Sequence, residues 1–252
     1  MAAIVVYHDW DNDLPDCISA IAPTVDELVV IANLASARRP DLPANGRLLV
    51  NDRPVGFSAN VNKGVAATSA PLVVVVNPDA VAQPGAVPSL VEFAVEHARA
   101  GIVGPQLRYP DGEWQPSRRR FPTVVGTVIR RTPLRSVLKK ERWQRGHYLL
   151  DERPEAPVEA DWMLGGFLLL RREMLDELGG FDEGFRLYGE DIDLGYRAAR
   201  AGWERWYVPD AVVQHNYHAV IDRRFFTRRT WWHFRGMLRF VRKHPERLTA
   251  LW

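Results

Sequence analysis

Residues 185–202, FRLYGEDIDLGYRAARAG, place three carboxylates, Glu190, Asp191 and Asp193, within four positions at the start of a helical pattern. Acids in a first helical turn are favoured by the helix dipole by about 0.3–1 kcal/mol, which accounts for one or two of them. Adjacent carboxylates at a helix start point in different directions, so one of Glu190 and Asp191 can cap or bind while the other faces a cleft. A cleft-facing carboxylate near other negative charge gains proton affinity, as a general base requires. A second acidic turn, Asn77-Pro78-Asp79, follows the valine run at 73–76. One carboxylate at a strand end can hold Mg2+ or Mn2+ when phosphates supply the other oxygens. An ordinary Asn-Pro-Asp turn explains the same residues. His215 ends the run VVQH. An imidazole there suits Mn2+ or is merely structural, and its role turns on whether it faces Asp79.

These groups lie far apart in the chain, so a fold must gather them. Apolar runs predict strands at 2–10, 26–33, 46–52 and 71–80, with a Pro-started helix at 13–23 stopped by Pro23. Residues 56–70 are rich in small side chains and helical toward their end. Residues 85–101 read as an amphipathic helix capped by Gly101, and 102–112 as a strand and turn. Little periodicity marks 113–160, which predicts long loops. Order returns with a strand at 167–170, a short helix ending at Gly179, a helix from Glu190 to near Gly202, one or two strands over 203–215 and a helical stretch at 222–244. The β-α-β alternation over 1–105 predicts an α/β fold with a doubly wound, mostly parallel sheet. Such sheets bind ligands beyond the carboxyl ends of their strands, where the Asn77–Asp79 turn falls.

The chain has 252 residues, 46% hydrophobic and 25% charged, with one cysteine, Cys17. That excludes an intramolecular disulfide framework and fits a reducing compartment. No signal segment opens the chain, and no apolar run reaches the ~18–20 residues of a membrane span. A cytoplasmic protein, peripheral at most on the inner membrane face, is expected. The net charge of +2 hides an asymmetry: residues 117–146 carry a local +9 and residues 222–247 a local +7, which leaves the rest at −14. Two basic segments on an acidic body suggest an anionic partner.

The ordered series NPDA, GPQLRYPDG, GGFLLLRREMLDELGGFDEGFRLYGEDIDLGYRAARAGW and PDAVVQH over residues 1–215 resembles family 2 glycosyltransferases of the GT-A fold, most closely the bacterial rhamnosyltransferase-like members. The resemblance implies an inverting transfer from a nucleotide-diphosphate sugar, dTDP- or UDP-linked, to a lipid-linked or saccharide acceptor, with a divalent cation, Mg or Mn, as cofactor. It implies that Asp79 is the last acid of a metal-binding turn in which Asn77 replaces the first. His215 would complete the metal site, and Asp191 would be the base with Glu190 its neighbour. Tyr7, Asn33, Asn51, Gly56, Phe57, Asn60, Gly64 and Asn77 would line the donor side. Gly165 and Gly166 would form the turn where the acceptor approaches. It further implies a transferase domain over 1–215, with a donor half at 1–110 and an acceptor half at 111–215, and a helical extension at 216–252. A homodimer is compatible with it. The family usually has an Asp after its second strand, where this chain has Ala32 and Asn33. That departure leaves a second reading, a weak or inactive nucleotide-binding or membrane-associated assembly protein. Nucleotidyl transfer ranks low, because no Gly-rich phosphate loop follows the first strand.

Arg118, Arg119 and Arg120 fall where relatives have a flexible acceptor loop. They either meet a lipid-linked pyrophosphate or belong to a solvated loop. In the C-terminal stretch, Arg224, Arg228, Arg235, Arg239 and Arg242 fall within about 60° on a helical wheel. Phe226, Phe234, Met237, Leu238, Phe240 and Val241 take another face, with Trp231 and Trp232 beside the ridge. The apolar face is expected to dock on the domain and the basic ridge to meet an anionic membrane. No nucleic-acid partner is expected, since no recognition motif accompanies the charge.

Overall fold

The computed structural model describes residues 1–10, 12–122, 145–216 and 228–248. Strand β1 (Ala2–Tyr7) has all six residues buried. Ala3, Val5 and Tyr7 face one core cluster and Ile4 and Val6 the other. A strand covered on both sides is a continuous apolar run, not an alternation. Helix α1 (Leu14–Ile21) carries Pro15 in its first turn, where no intrahelical N–H bond is forfeited. Then come β2 (Glu27–Ala32), β3 (Gly46–Val50), α2 (Phe57–Ala66), β4 (Leu72–Val76), β5 (Ala80–Ala82), α3 (Ala86–Glu96) and β6 (Ala100–Arg108). Short strands β7 (Trp114–Gln115), β8 (Arg118–Arg119), β9 (Val158–Glu159) and β10 (Trp162–Met163) follow. The series ends with β11 (Phe167–Arg171), α4 (Arg172–Leu178), α5 (Glu190–Arg200), β12 (Glu204–His215) and α6 (Arg228–Lys243).

The main sheet runs β3-β2-β1-β4-β11-β6-β12-β5. Neighbours are parallel except at β11, antiparallel to both β4 and β6, and at the edge pair β12–β5. One face packs under α1 and α3, through Leu14, Ile18, Val87 and Leu90. The other packs under α2, α4 and α5, through Val61, Met174, Leu175 and Leu194. A third, smaller cluster joins α6 to the domain: Met237 and Phe240 pack with Trp162, Phe185, Ile192 and Tyr196.

Three expectations need correction. Helix α2 begins at Phe57, at the start of its small-residue stretch rather than its end. Its Gly64 lies against β1, where a Cβ would come 2.6 Å from Ile4 Cγ2. Gly101 is not a helix cap. Helix α3 stops at Glu96 and Gly101 lies inside β6, where a Cβ would meet Met174 Sδ at 2.6 Å and Trp203 Cβ at 3.0 Å. The 113–160 region holds paired two-residue strands within its described part.

The docking of α6 also differs from the wheel. Met237, Phe240 and Val241 turn inward, but Phe234 and Leu238 are exposed. One arginine of the expected ridge, Arg239, is engaged by the domain: with the neighbouring Lys243 it binds Asp182, at 2.7 and 2.8 Å. Arg224 and Phe226, and the Arg228 side chain, lie outside the described residues.

Candidate active site

Asp79 and His215 meet because their strands pair. In the β12–β5 ladder His215 stands opposite Ala80, and the Asn216 N–H donates to Asp79 O at 2.9 Å. The side chains follow: His215 Nε2 is 3.4 Å from Asp79 Oδ1, with the histidine nearly buried. Its Nδ1 lies 3.0 Å from Gln115 Oε1. An amide oxygen only accepts, so the ring donates from Nδ1, and in the neutral ring Nε2 presents its lone pair. A carboxylate oxygen and an imidazole nitrogen thus face each other. Two donors bound to one small divalent cation at about 2.1 Å lie roughly 3 Å apart, so the pair fits such an ion. Among the described residues no group of three His, Cys, Asp or Glu could hold a metal. Further ligands would have to be phosphate or water oxygens.

The turn Gly165–Gly166 links this pair to the carboxylates of α5. The Gly166 carbonyl accepts from Asn77 N–H at 2.9 Å, which ties the Asn77–Asp79 turn to it. A Cβ on Gly166 would lie 3.0 Å from His215 Nε2, so a larger residue there would press on the imidazole. The Gly165 N–H donates to Asp191 Oδ2 at 3.3 Å. Positions 79, 191 and 215 therefore converge around one turn.

Helix α5 starts abruptly. Tyr188 (φ 73°) and Gly189 (φ 97°) are both left-handed, a costly conformation for tyrosine, and the helix they open carries Asp191 to the Gly165 turn with Glu190 buried next to it in the chain. Asp191 Oδ1 accepts the Ile192 N–H at 2.9 Å. Burial raises the Asp191 proton affinity, offset by the Ile192 and Gly165 N–H groups and by the Arg119 charge. Glu190 is buried and its Oε2 has no hydrogen-bond partner. Burial first, then the adjacent Asp191 carboxylate, push the Glu190 carboxyl up to about 8. The two acids thus favour holding a proton between them near neutral pH.

Asp193, the third acid, does other work. It is fully buried and accepts from Arg197 Nε at 2.7 Å, Lys243 Nζ at 3.0 Å and His244 Nε2 at 2.8 Å. It rivets α6 to α5.

On the expected donor side the asparagines mostly engage one another. Asn51 Nδ2 donates to Asn33 Oδ1 (3.0 Å) and Asn60 Oδ1 (2.7 Å). Asn60 Nδ2 donates to Gly56 O, and Lys63 Nζ donates to Asn51 Oδ1 at 2.7 Å. Asn33 clasps Val55 through both its N–H and its carbonyl. This buried network fixes the loop at 51–56. Tyr7 is buried, with its hydroxyl donating to Arg38 O at 2.9 Å, and Gly64 is a core contact. Gly56 lies against Arg186, and Phe57 N–H donates to Arg186 O at 2.8 Å.

The arginine triplet does not act as one unit. Arg118 is buried against Glu152 at 2.7 Å. Arg119 stacks on Tyr148 with its guanidinium 4.1 Å from the ring centre. Arg120 alone is largely exposed, 3.8 Å from Glu152. The structure adds Gln115, Tyr188 and Arg186 to the neighbourhood. Arg186 and Tyr188 stand in the quoted stretch before α5 but carry no group that marks them out, and Gln115 sits in no motif and is brought in only by the packing of a two-residue strand.

Residues 24–242 match the family described as "Glycosyltransferase like family 2". An N-acetylglucosaminyl-diphospho-decaprenol L-rhamnosyltransferase of Mycobacterium tuberculosis is 35% identical over 191 residues, 68% of this chain and 59% of that protein. The chain thus spans about three fifths of that relative's length. Rhamnosyltransferase WbbL of Escherichia coli is 37% identical over 81 residues, 32% of this chain and 30% of that protein. Among solved structures, GalNAc-T7 with UDP, GalNAc and Mn2+ superposes with a TM-score of 0.63 at 16% identity, over 86% of this chain and 43% of that one. A mycobacterial protein superposes at 0.54 with 21% identity, over 88% and 68%. These likenesses carry the fold alone, and it is the expected GT-A architecture. With its match running through nearly all of the sheet, the chain belongs to the glycosyltransferase-like family 2.

Proposed function

We propose that the protein transfers a sugar, with inversion, from a nucleotide-diphosphate donor to a hydroxyl of a lipid-linked or saccharide acceptor in cell-envelope polysaccharide assembly. The observation that carries this is the single turn, Gly165–Gly166, touching both the Asp79–His215 pair and Asp191. Asp191 takes the proton from the acceptor hydroxyl as its oxygen attacks the anomeric carbon. The bond to the diphosphate breaks on the opposite face, through an oxocarbenium-like transition state. Burial raises the proton affinity of Asp191, and Glu190 beside it, pushed up to about 8, holds a proton near neutral pH and leaves Asp191 the charged partner. Asp79 and His215 would hold a divalent cation, Mn2+ or Mg2+, which when bound neutralises the departing diphosphate. The rhamnosyltransferase relatives favour a dTDP-rhamnose donor, and the decaprenol-linked acceptor named for one of them favours a lipid diphosphate acceptor.

The test is nucleotide-diphosphate release from a panel of dTDP- and UDP-sugars with Mn2+ or Mg2+, with Asp191→Asn alongside. Turnover by the wild type that collapses in the variant is expected. No turnover of any donor, or equal turnover by both, overturns the mechanism. A second reading is a nucleotide-binding protein without turnover. The self-satisfied asparagines favour it, and calorimetry showing metal-dependent nucleotide binding without catalysis would select it.

A further inference from the structure

Five large apolar side chains are exposed among the described residues, and three of them, Trp231, Phe234 and Leu238, stand on α6. Trp231 is 58% and Phe234 56% exposed, and their rings stack with centroids 6.0 Å apart. With the exposed Arg235 and Arg242 they fall within about 100° of the helix circumference. The opposite face carries Met237 and Phe240 into the core and is held by the ion pairs of Arg239 and Lys243. The helix is therefore anchored along one side and presents an apolar stripe with two arginines along the other. Isolated exposed apolar residues are ordinary, but a contiguous stripe marks a contact surface.

We infer that this face of α6 lies on the headgroup layer of an anionic membrane. Trp231, Phe234 and Leu238 enter the acyl boundary, and Arg235 and Arg242 meet lipid phosphates. Charge selects this occupant over a second copy of the chain. No acid occurs from residue 223 to 245, so a symmetric pairing of two such faces would set arginine against arginine with nothing to offset it. The contact is peripheral, since no helix among the described residues is long and apolar enough to cross a membrane. Its position bears on the active site. A Cβ on Gly236 would run into the Tyr188 carbonyl, so α6 rests on the turn that opens α5, the helix of Glu190 and Asp191. The surface itself does not depend on glycosyl transfer, because vesicle binding needs no substrate.

The experiment is sedimentation with phosphatidylcholine vesicles, pure or mixed with phosphatidylglycerol, alongside gel filtration. The protein is expected to sediment with the mixed vesicles only, less as salt rises, with a blue shift of tryptophan emission. Arg235→Glu/Arg242→Glu should weaken binding at least about 30-fold, and Trp231→Ser/Phe234→Ser/Leu238→Ser should abolish it, both at an unchanged melting midpoint. Should the serine variant melt early, the arginine pair, exposed and outside the core, decides alone. Equal sedimentation with neutral vesicles, or variants that bind like wild type, overturns the inference. So does a dimer that the serine variant makes monomeric while no vesicle binding is seen.

Discussion

One turn of one helix uses the same kind of side chain to opposite ends. At its start, α5 holds Glu190 and Asp191 in a buried setting where no ion pair neutralises them and where proton affinity rises. Two residues on, Asp193 is more deeply buried, yet Arg197, Lys243 and His244 surround it. Burial is common to both, so the partners make the difference. Without close cations a buried carboxylate becomes a proton acceptor. With Arg197 and Lys243 paired to it and His244 in hydrogen-bond contact it becomes a structural joint. The dipole that favours acids at a helix start acts on all three and distinguishes none.

The comparison can be broken by substitution. Asp191→Asn should cut turnover by roughly 10²–10⁴-fold while leaving the urea midpoint at or above that of wild type, since it removes a poorly compensated buried charge. Asp193→Ala should do the reverse, costing about 3 kcal/mol in urea unfolding because it takes away the fully buried acceptor shared by Arg197, Lys243 and the buried His244. If the two variants lose the same property, the division between these acids is wrong. A contrast further along the site concerns Gln115. Gln115→Leu removes the acceptor that orients His215, and should weaken Mn2+ binding about 10–100-fold by calorimetry without moving the unfolding midpoint of the metal-free protein. Unchanged affinity would show that the amide is only packing.

The gentlest probe is pH. Glu190, and in the same direction Asp191, have folded-state pKa values raised above their unfolded ones. In the window from about 4.5 to about 8 the folded protein holds a proton that the unfolded chain has released. Stability from this source therefore falls as pH rises through that window and levels off above it, by at most about 1.4 kcal/mol per pH unit. Urea unfolding from pH 5 to 8 should show this slope, and Glu190→Gln should flatten it. A slope that survives the substitution would place the uncompensated charge elsewhere.

The legible part of the fold was its local chemistry. The valines of β4 declare a strand buried on both faces, and Gly179, with φ 69°, ends α4 where a helix stop was expected. Gly101 misled because a glycine after an amphipathic run resembles a cap, while its true reason, the close passage of Met174 and Trp203, is tertiary. Asp79, Asp191 and His215 could be singled out because strand ends and helix starts are where such residues act. Which of the three α5 acids would be neutralised could not be read, since Lys243 and His244 come from about fifty residues downstream. The arginine triplet scattered for a like reason: the partner of Arg118, Glu152, lies 34 positions away.

One reversed strand has a geometric consequence for the whole site. Because β11 runs against β4, with Phe167 beside Val76, the loop entering β11 opens on the same rim as the loop leaving β4. Were every strand of the sheet to point one way, the glycine pair would emerge on the far side of the domain from the aspartate turn. Inverting a single strand brings an incoming and an outgoing connection to one edge, so the glycine pair and the aspartate turn lie on neighbouring loops.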